Sequence, residues 1–107
     1  MDDSTYQHLA DAAYRRIGDA FEEIDPEQVD CEIAGDVLTL TFAGGKRCVV
    51  NTQRPTHQIW LAANARAWHF SYDDGKRAWL DDKGQGNELF ATVARIVKET
   101  AGVEIAI

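Results

Sequence analysis

An α+β fold, a two-layer sandwich with two helices on one face of a single antiparallel sheet, follows from three features of the sequence. Apolar residues recur at three- and four-residue spacing near both ends of the chain, and at two-residue spacing between them. The turns between the alternating segments are short, which favours a meander over parallel crossovers. A chain of 107 residues can build one core, so the order helix, about six strands, helix is read as one domain over residues 1–107.

The spacing predicts a first helix over Ser4–Ile24. Tyr6, Leu9, Ala10, Ala13, Tyr14, Ile17, Ala20, Phe21 and Ile24 fill one side of the helical wheel, opposite His8, Asp11, Arg15, Asp19 and Glu22. Asp3 or Ser4 is the expected N-cap, and Pro26, which has no N–H to donate, the expected stop. From Val29 the period falls to two: Val29, Cys31 and Ile33 alternate with Asp30 and Glu32 up to a turn at Gly35-Asp36. Leu38, Leu40 and Phe42 alternate with Thr39 and Thr41, and Gly44-Gly45 turns the chain again. Further strands are expected at Arg47–Asn51, Gln58–Leu61, Arg66–Tyr72 and Ala78–Asp81. Asn87–Ala101 returns to helical spacing, with Gly102 as its C-terminal stop. The apolar tail after Gly102 is expected to dock on the body of the fold.

Composition excludes several functions. Eleven Lys and Arg face eighteen Asp and Glu, a net charge of -7, which repels phosphate backbones and anionic lipid. Neither a nucleic-acid partner nor a membrane is expected. Met1-Asp2-Asp3-Ser4 is no export signal, and no apolar run approaches the roughly 20 residues of a membrane-spanning helix. Cys31 and Cys48 form neither a CxxC pair nor a disulfide framework, so reduced thiols and a cytoplasmic location are expected.

Familiar catalytic motifs are missing. Gly84-Gln85-Gly86 before a helix lacks the third glycine of a dinucleotide fingerprint and has no parallel βαβ unit around it. Ser4 and Ser71 lie in no GxSxG elbow, and there is no HExxH, EF-hand loop or P-loop. Cys31 alternates inward with Val29 and Ile33, as a small core residue would.

The acids are concentrated at one end. Residues 1–36 hold eleven acids against Arg15 and Arg16, nine negative charges net, whereas residues 37–107 carry two positive charges net. Asp30 and Glu32 point away from the core because their strand neighbours point into it. With Asp11, Asp19, Glu22, Glu23, Asp25 and Glu27 they are the candidate metal ligands, a carboxylate row suited to hard cations but too open to hold them tightly. A solvated, solubilising face is the plain alternative. Against it, negative charge at a helix C-terminus opposes the macrodipole, and like charges one turn apart repel.

A second constellation lies in Asn51-Thr52-Gln53-Arg54-Pro55-Thr56-His57-Gln58-Ile59-Trp60-Leu61. With Ile59 and Leu61 inward, Gln58 and Trp60 stand on the open face of the sheet, near Asn51 and Gln53. A substantially exposed Trp ringed by amides suits an interface anchor, with a Trp folded against sheet threonines as the alternative. Trp79 is expected to pack more deeply.

These residues carry a resemblance to the frataxin family, in its bacterial CyaY branch. The pattern Asn51-x-Gln53-x-Pro55-x-x-Gln58-x-Trp60-Leu61, followed by His69-Phe70 and then Trp79 and Asp82, is its most specific part. Asp3-Ser4 before Leu9-Ala10-Asp11, and Asp30-Cys31-Glu32-Ile33 before Val37-Leu38-Thr39, extend it along the chain. The resemblance implies a frataxin-like sandwich and an iron-binding protein of iron–sulfur cluster assembly, a regulator of the cysteine desulfurase or a donor of iron. It implies weakly bound Fe²⁺ or Fe³⁺, no organic cofactor, and a monomer when metal-free. The implied partners are a cysteine desulfurase and the scaffold protein. Asp19, Glu22, Glu23, Asp25, Glu27, Asp30 and Glu32 match the family's acidic ridge by position. Glu22 and Glu23, together with Asn51, Gln53, Gln58 and Trp60 on the sheet, are the implied partner contacts. Gly18 stands where close relatives have another acid, and the approach to the last helix also differs. Two other readings stay open: an acidic interaction module without need of metal, and a ferroxidase. The latter is the weakest, because His8 is the only histidine on the acidic stretch.

Overall fold

Asp2 begins the first helix, α1 (Asp3–Ala20), in place of the expected Asp3 or Ser4. Its carboxylate accepts the Thr5 amide at 2.7 Å, a bond that also holds its own carboxyl below the ordinary range. The helix stops at Ala20, four residues short of the expected Ile24, and Pro26 is not the cause. From Phe21 the amides bond three residues back, Phe21 to Gly18 and Glu22 to Asp19, and this tighter pitch turns the chain toward the sheet. The Asp25 carboxylate then accepts the Glu27 amide, and its carbonyl those of Gln28 and Val29. The computed structural model describes residues 1–107.

Six strands follow: β1 (Val29–Ala34), β2 (Val37–Phe42), β3 (Arg47–Gln53), β4 (Gln58–Ala63), β5 (Arg66–Asp73) and β6 (Ala78–Asp81). They pair in chain order, each antiparallel to the next, so the α+β meander read from the sequence is the observed fold. A single 3-10 turn, Arg54–Thr56, joins β3 to β4. Gly35 supplies the positive φ of the β1–β2 turn, +61°. The two-residue β4–β5 turn has no glycine, and Asn64 and Ala65 sit at φ 53° and 61°.

The last helix, α2 (Leu89–Ala101), starts two residues after the expected Asn87, because Glu88 caps it by accepting the Phe90 and Ala91 amides. Gly102 ends it at φ 69°, its amide on the Lys98 carbonyl, as the sequence predicts. The tail docks as expected, with Val103, Ile105 and Ile107 partly covered by the core. Arg16 lies 4.2 Å from the Phe90 ring centroid and donates to the Ile107 carbonyl at 2.9 Å.

One face of the sheet carries the core. Leu38, Leu40, Cys48, Val50, Ile59, Leu61 and Phe70 are fully buried beneath Tyr6 and Ile17 of α1 and Leu89, Val93 and Val97 of α2. Two tyrosine hydroxyls fasten α1 to that face. Tyr14 donates to the carbonyls of Asp36 and Val50 at 2.7 and 3.2 Å. The Tyr6 hydroxyl donates to the Gln58 carbonyl and accepts the Gln53 amide, closing the mouth of the β3–β4 connection. Burial pushes both phenols up, so they stay neutral donors. It also pushes the Cys48 thiol up to about 12, which leaves that side chain an inert core residue.

The inward reading of β1 is only partly correct. Val29 is buried, Cys31 is half-buried and not a core residue, and Ile33 is 46% exposed. β1 is the sheet edge, and the part of α1 above Ile33 is Gly18, which has no side chain to cover it. No helix of the chain is long and apolar enough to cross a membrane.

Ala65 holds a left-handed conformation that costs an L-residue about 1–2 kcal/mol. Ala65→Gly is expected to raise the urea-unfolding free energy by up to about 1 kcal/mol, the entropy of the freer unfolded chain offsetting part of the relief. An unchanged or lower value would contradict strain at this turn.

Candidate functional site

The candidate ridge runs along the end of α1, the following turns and β1. Asp19 stands in the last turn of the helix, Glu22, Glu23, Asp25 and Glu27 follow in the connection, and Asp30 and Glu32 alternate outward on β1. All seven are exposed, and none takes part in an ion pair. Glu22 and Asp30 line one hollow with Gly18, Ile24 and Ile33, so helix end and strand present their charge together. Asp11 is exposed too, but it stands about 12 Å up the helix axis from Asp19, with Arg15 between them, and its carboxylate accepts the Gln7 amide nitrogen. No three His, Cys, Asp or Glu side chains are gathered closely enough to hold a metal ion. No single point along the ridge can therefore offer more than two of these carboxylates at once.

The helix dipole does not explain the charge. The last turn of α1 has no basic residue, and Asp19, Glu22 and Glu23 cluster where the unsatisfied carbonyls point. The fold thus holds a concentration of negative charge that local structure opposes.

The second constellation assembles on the uncovered face of the sheet. Register sets Asn51, Trp60 and His69 side by side on β3, β4 and β5. The Trp60 and His69 rings stack with centroids 4.2 Å apart and planes 15° apart. The indole Nε1 donates to Gln58 Oε1 at 2.9 Å. Gln58 Nε2 in turn donates to Ser71 Oγ and Asp82 Oδ2, both at 3.2 Å, and Asp82 Oδ2 lies 3.6 Å from His69 Nδ1. Trp60 points to the open face as expected but is half-buried where substantial exposure was expected, because His69 covers one side of its ring. Gln53 is fixed through its backbone, on Tyr6, and lies beside Gln58 in the register.

Asp81 positions the far side of this ring. Its carboxylate accepts the amides of Lys83, Gln85 and Asn87 at 2.8 to 3.1 Å, so Gly84-Gln85-Gly86 is a turn and no phosphate loop. The Asp82 amide donates to the His69 carbonyl, which sets the Asp82 side chain beside Gln58. Partial loss of water raises the Asp81 carboxyl, but the Gln85, Asn87 and Lys83 donors outweigh it and hold the group below its ordinary value.

His69 and Asp82 are the site residues that the reading of charge and exposure passes over. For His69 the signal was present. With Asn64-Ala65 as a two-residue turn, antiparallel register places residue 69 opposite residue 60.

Comparison with known proteins agrees with this architecture. Residues 1–103 match the frataxin-like domain family. The chain belongs to that family. It is 35% identical over 107 residues to the iron-sulfur cluster assembly protein CyaY of Tolumonas auensis, covering 100% of this chain and 99% of that one. It is 36% identical to the protein of the same name from Delftia acidovorans, covering 98% and 96%. Among solved structures, the frataxin of Psychromonas ingrahamii superposes with a TM-score of 0.87 at 31% identity, over 98% of this chain and 96% of that chain. The trimeric frataxin of Saccharomyces cerevisiae, complexed with ferrous iron, gives 0.73 at 27% identity, over 89% and 87%. The frataxin-like chain therefore keeps both layers and all six strands of the family fold.

Two outcomes test the site's construction. Trp60→Ala removes a half-buried ring and one stacked pair, and about 1–2 kcal/mol of stability is expected to go with it, against about 3–5 for the buried Trp79→Ala; urea melts of the two variants check the contrast. Because the Asp81 carboxyl titrates lower in the folded chain, its stabilisation is present above the unfolded value of about 3.9 and lost as pH falls through the folded value. The melting-temperature gap between the parent and Asp81→Asn is thus expected to be widest near neutrality and to narrow in acid. A gap independent of pH would place the effect elsewhere.

Proposed function

We propose that this protein serves iron–sulfur cluster assembly as an iron-binding accessory protein, regulating a cysteine desulfurase or donating iron to the assembly. The observation that carries the reading is the ridge: seven exposed carboxylates without ion-pair partners, from Asp19 to Glu32, on one edge of a frataxin-like fold. Relatives similar over nearly their whole length are iron-sulfur cluster assembly proteins, and a structural relative is known complexed with ferrous iron. None of these names denotes an enzyme, and the role inferred is binding without catalysis.

In this reading the ridge has two uses of one charge. Fe²⁺ is its cargo, held loosely enough to be handed on. A basic face of the desulfurase is its docking partner, steered by the same field. The open sheet face, with Asn51, Gln53, Gln58 and Trp60, is a second contact surface, for the desulfurase or the scaffold protein. Trp60 is the anchor there, its ring pre-oriented by Gln58 and His69 so that little side-chain freedom is lost on binding.

One observation favours a second reading, an acidic interaction module that works without metal. The ridge gathers no three ligands around a common point. The two readings part when desulfurase binding is measured with iron present and with iron chelated.

The test of the first is anaerobic titration with Fe²⁺, followed by NMR. Signals from Asp19 to Glu32 are expected to broaden first, without any change in fold, since an open carboxylate row is not a structural metal site. In the double variant Glu22→Lys, Glu23→Lys the broadening should weaken while the thermal melt stays level or rises slightly. Broadening confined to His57 and His69 would overturn the ridge as the iron site.

A further inference from the structure

The outer edge of β1 is open from Cys31 onward, because β1 is the first strand of the sheet and pairs only with β2, while the outward amide of Val29 is taken by the Asp25 carbonyl. Its hydrogen-bonding phase can be read from the Ala43 amide, which donates to the Gln28 carbonyl. Alternation then turns Asp30, Glu32 and Ala34 toward β2, and the N–H and C=O groups of Cys31 and Ile33 outward. Neither Cys31 nor Ile33 makes a main-chain hydrogen bond outside the ladder. Beside this edge lies a hollow of about 390 Å³ between β1 and the end of α1, lined by Gly18, Ile24, Cys31 and Ile33 and flanked by Glu22 and Asp30. Apart from Met1, Ile33 is the only large apolar side chain of the chain that is exposed.

An exposed edge with an apolar hollow beside it is the arrangement that peptide-binding sheets use for strand addition. Charge decides the occupant. Two copies of this edge would set Asp30 and Glu32 against their own counterparts, and like charges on facing strands are destabilising. A strand carrying Lys or Arg at those positions meets the opposite condition.

We propose that β1 accepts an added antiparallel strand: an extended segment of another protein, alternating basic and apolar residues, which pairs with Cys31 and Ile33. Its apolar side chains, opposite Cys31 and Ile33, enter the hollow beneath Gly18. Its basic side chains, one position on, face Asp30 and Glu32. The proposal rests on the ridge as the docking surface for a basic partner and adds how that partner is read, through main-chain hydrogen bonds and an apolar anchor as well as charge.

The probe is a blocked synthetic peptide of alternating lysine and valine, compared with the same peptide N-methylated at its valines and at its lysines. Strand addition predicts that the parent peptide slows hydrogen exchange at the Cys31 and Ile33 amides. N-methylation at valine, which removes the donors facing β1, should weaken binding about tenfold, and N-methylation at lysine should leave it near the parent value. Ile33→Pro removes an outward donor without breaking the ladder and should lose the effect; Ile33→Ser, which keeps the donor and loses the apolar anchor, should also weaken binding and carries the test should the proline variant not fold. Equal affinity of parent and valine-methylated peptides, while Glu22→Lys, Glu23→Lys still weakens both, overturns strand addition and leaves the ridge reading standing. A ridge-reversed variant that binds the peptide like the parent overturns both. Concentration-dependent protection of Cys31 and Ile33 without peptide overturns the proposal in favour of a second copy of this chain.

Discussion

Strand alternation puts every buried side chain of the sheet on one face, and that one-sidedness governs the rest of the molecule. An apolar sheet face must be covered, and both helices lie on it, with Tyr6 and Tyr14 fastening α1 through buried hydroxyls to the carbonyls of Gln58, Asp36 and Val50. The opposite face is left uncovered, so Asn51, Trp60 and His69 remain available beside a rigid core. The Tyr6 bonds to Gln53 and Gln58 also hold the two ends of the β3–β4 connection together, and the position of Gln58 sets that of the Trp60 ring. Core packing and the open-face site are therefore one construction.

Charge follows a different logic. The ridge lies where α1 has ended and β1 has no outer neighbour, so its carboxylates are hydrated and repel one another with no basic side chain among them. A fold stabilised by its core can carry such an edge without depending on it. The same repulsion protects an open strand edge from pairing with its own kind, and it leaves that edge attractive to cations, whether ions or basic segments.

Family membership and physical reading converge from separate directions. The resemblance in Asn51, Gln53, Pro55, Gln58 and Trp60 points to frataxin, and the structure gives Pro55, Gln58 and Trp60 their reasons, while Gln53 bonds only through its main chain. Gln58 donates to Ser71 and Asp82 and accepts from Trp60, and Gln53 offers its amide to Tyr6. Pro55 sits in the 3-10 turn that lets β3 reverse into β4.

The sequence by itself determined the element order, the antiparallel meander, the buried face and the uneven charge, because each is a matter of period or composition along a few consecutive residues. The turn residue at Gly35 and the cap at Gly102 were legible for the same reason. Tertiary structure alone decided where α1 ends, since the tight turns from Phe21 depend on where β1 must begin. It decided that Ile33 is exposed, because exposure there depends on a glycine fifteen residues away and on β1 being an edge. It decided that Trp60 is half-covered and linked through Gln58 to Asp82, since the covering ring and the carboxylate come from β5 and the loop after β6. Periodicity reports which way a side chain points; what it meets there is set by residues distant in the chain, which only packing brings together.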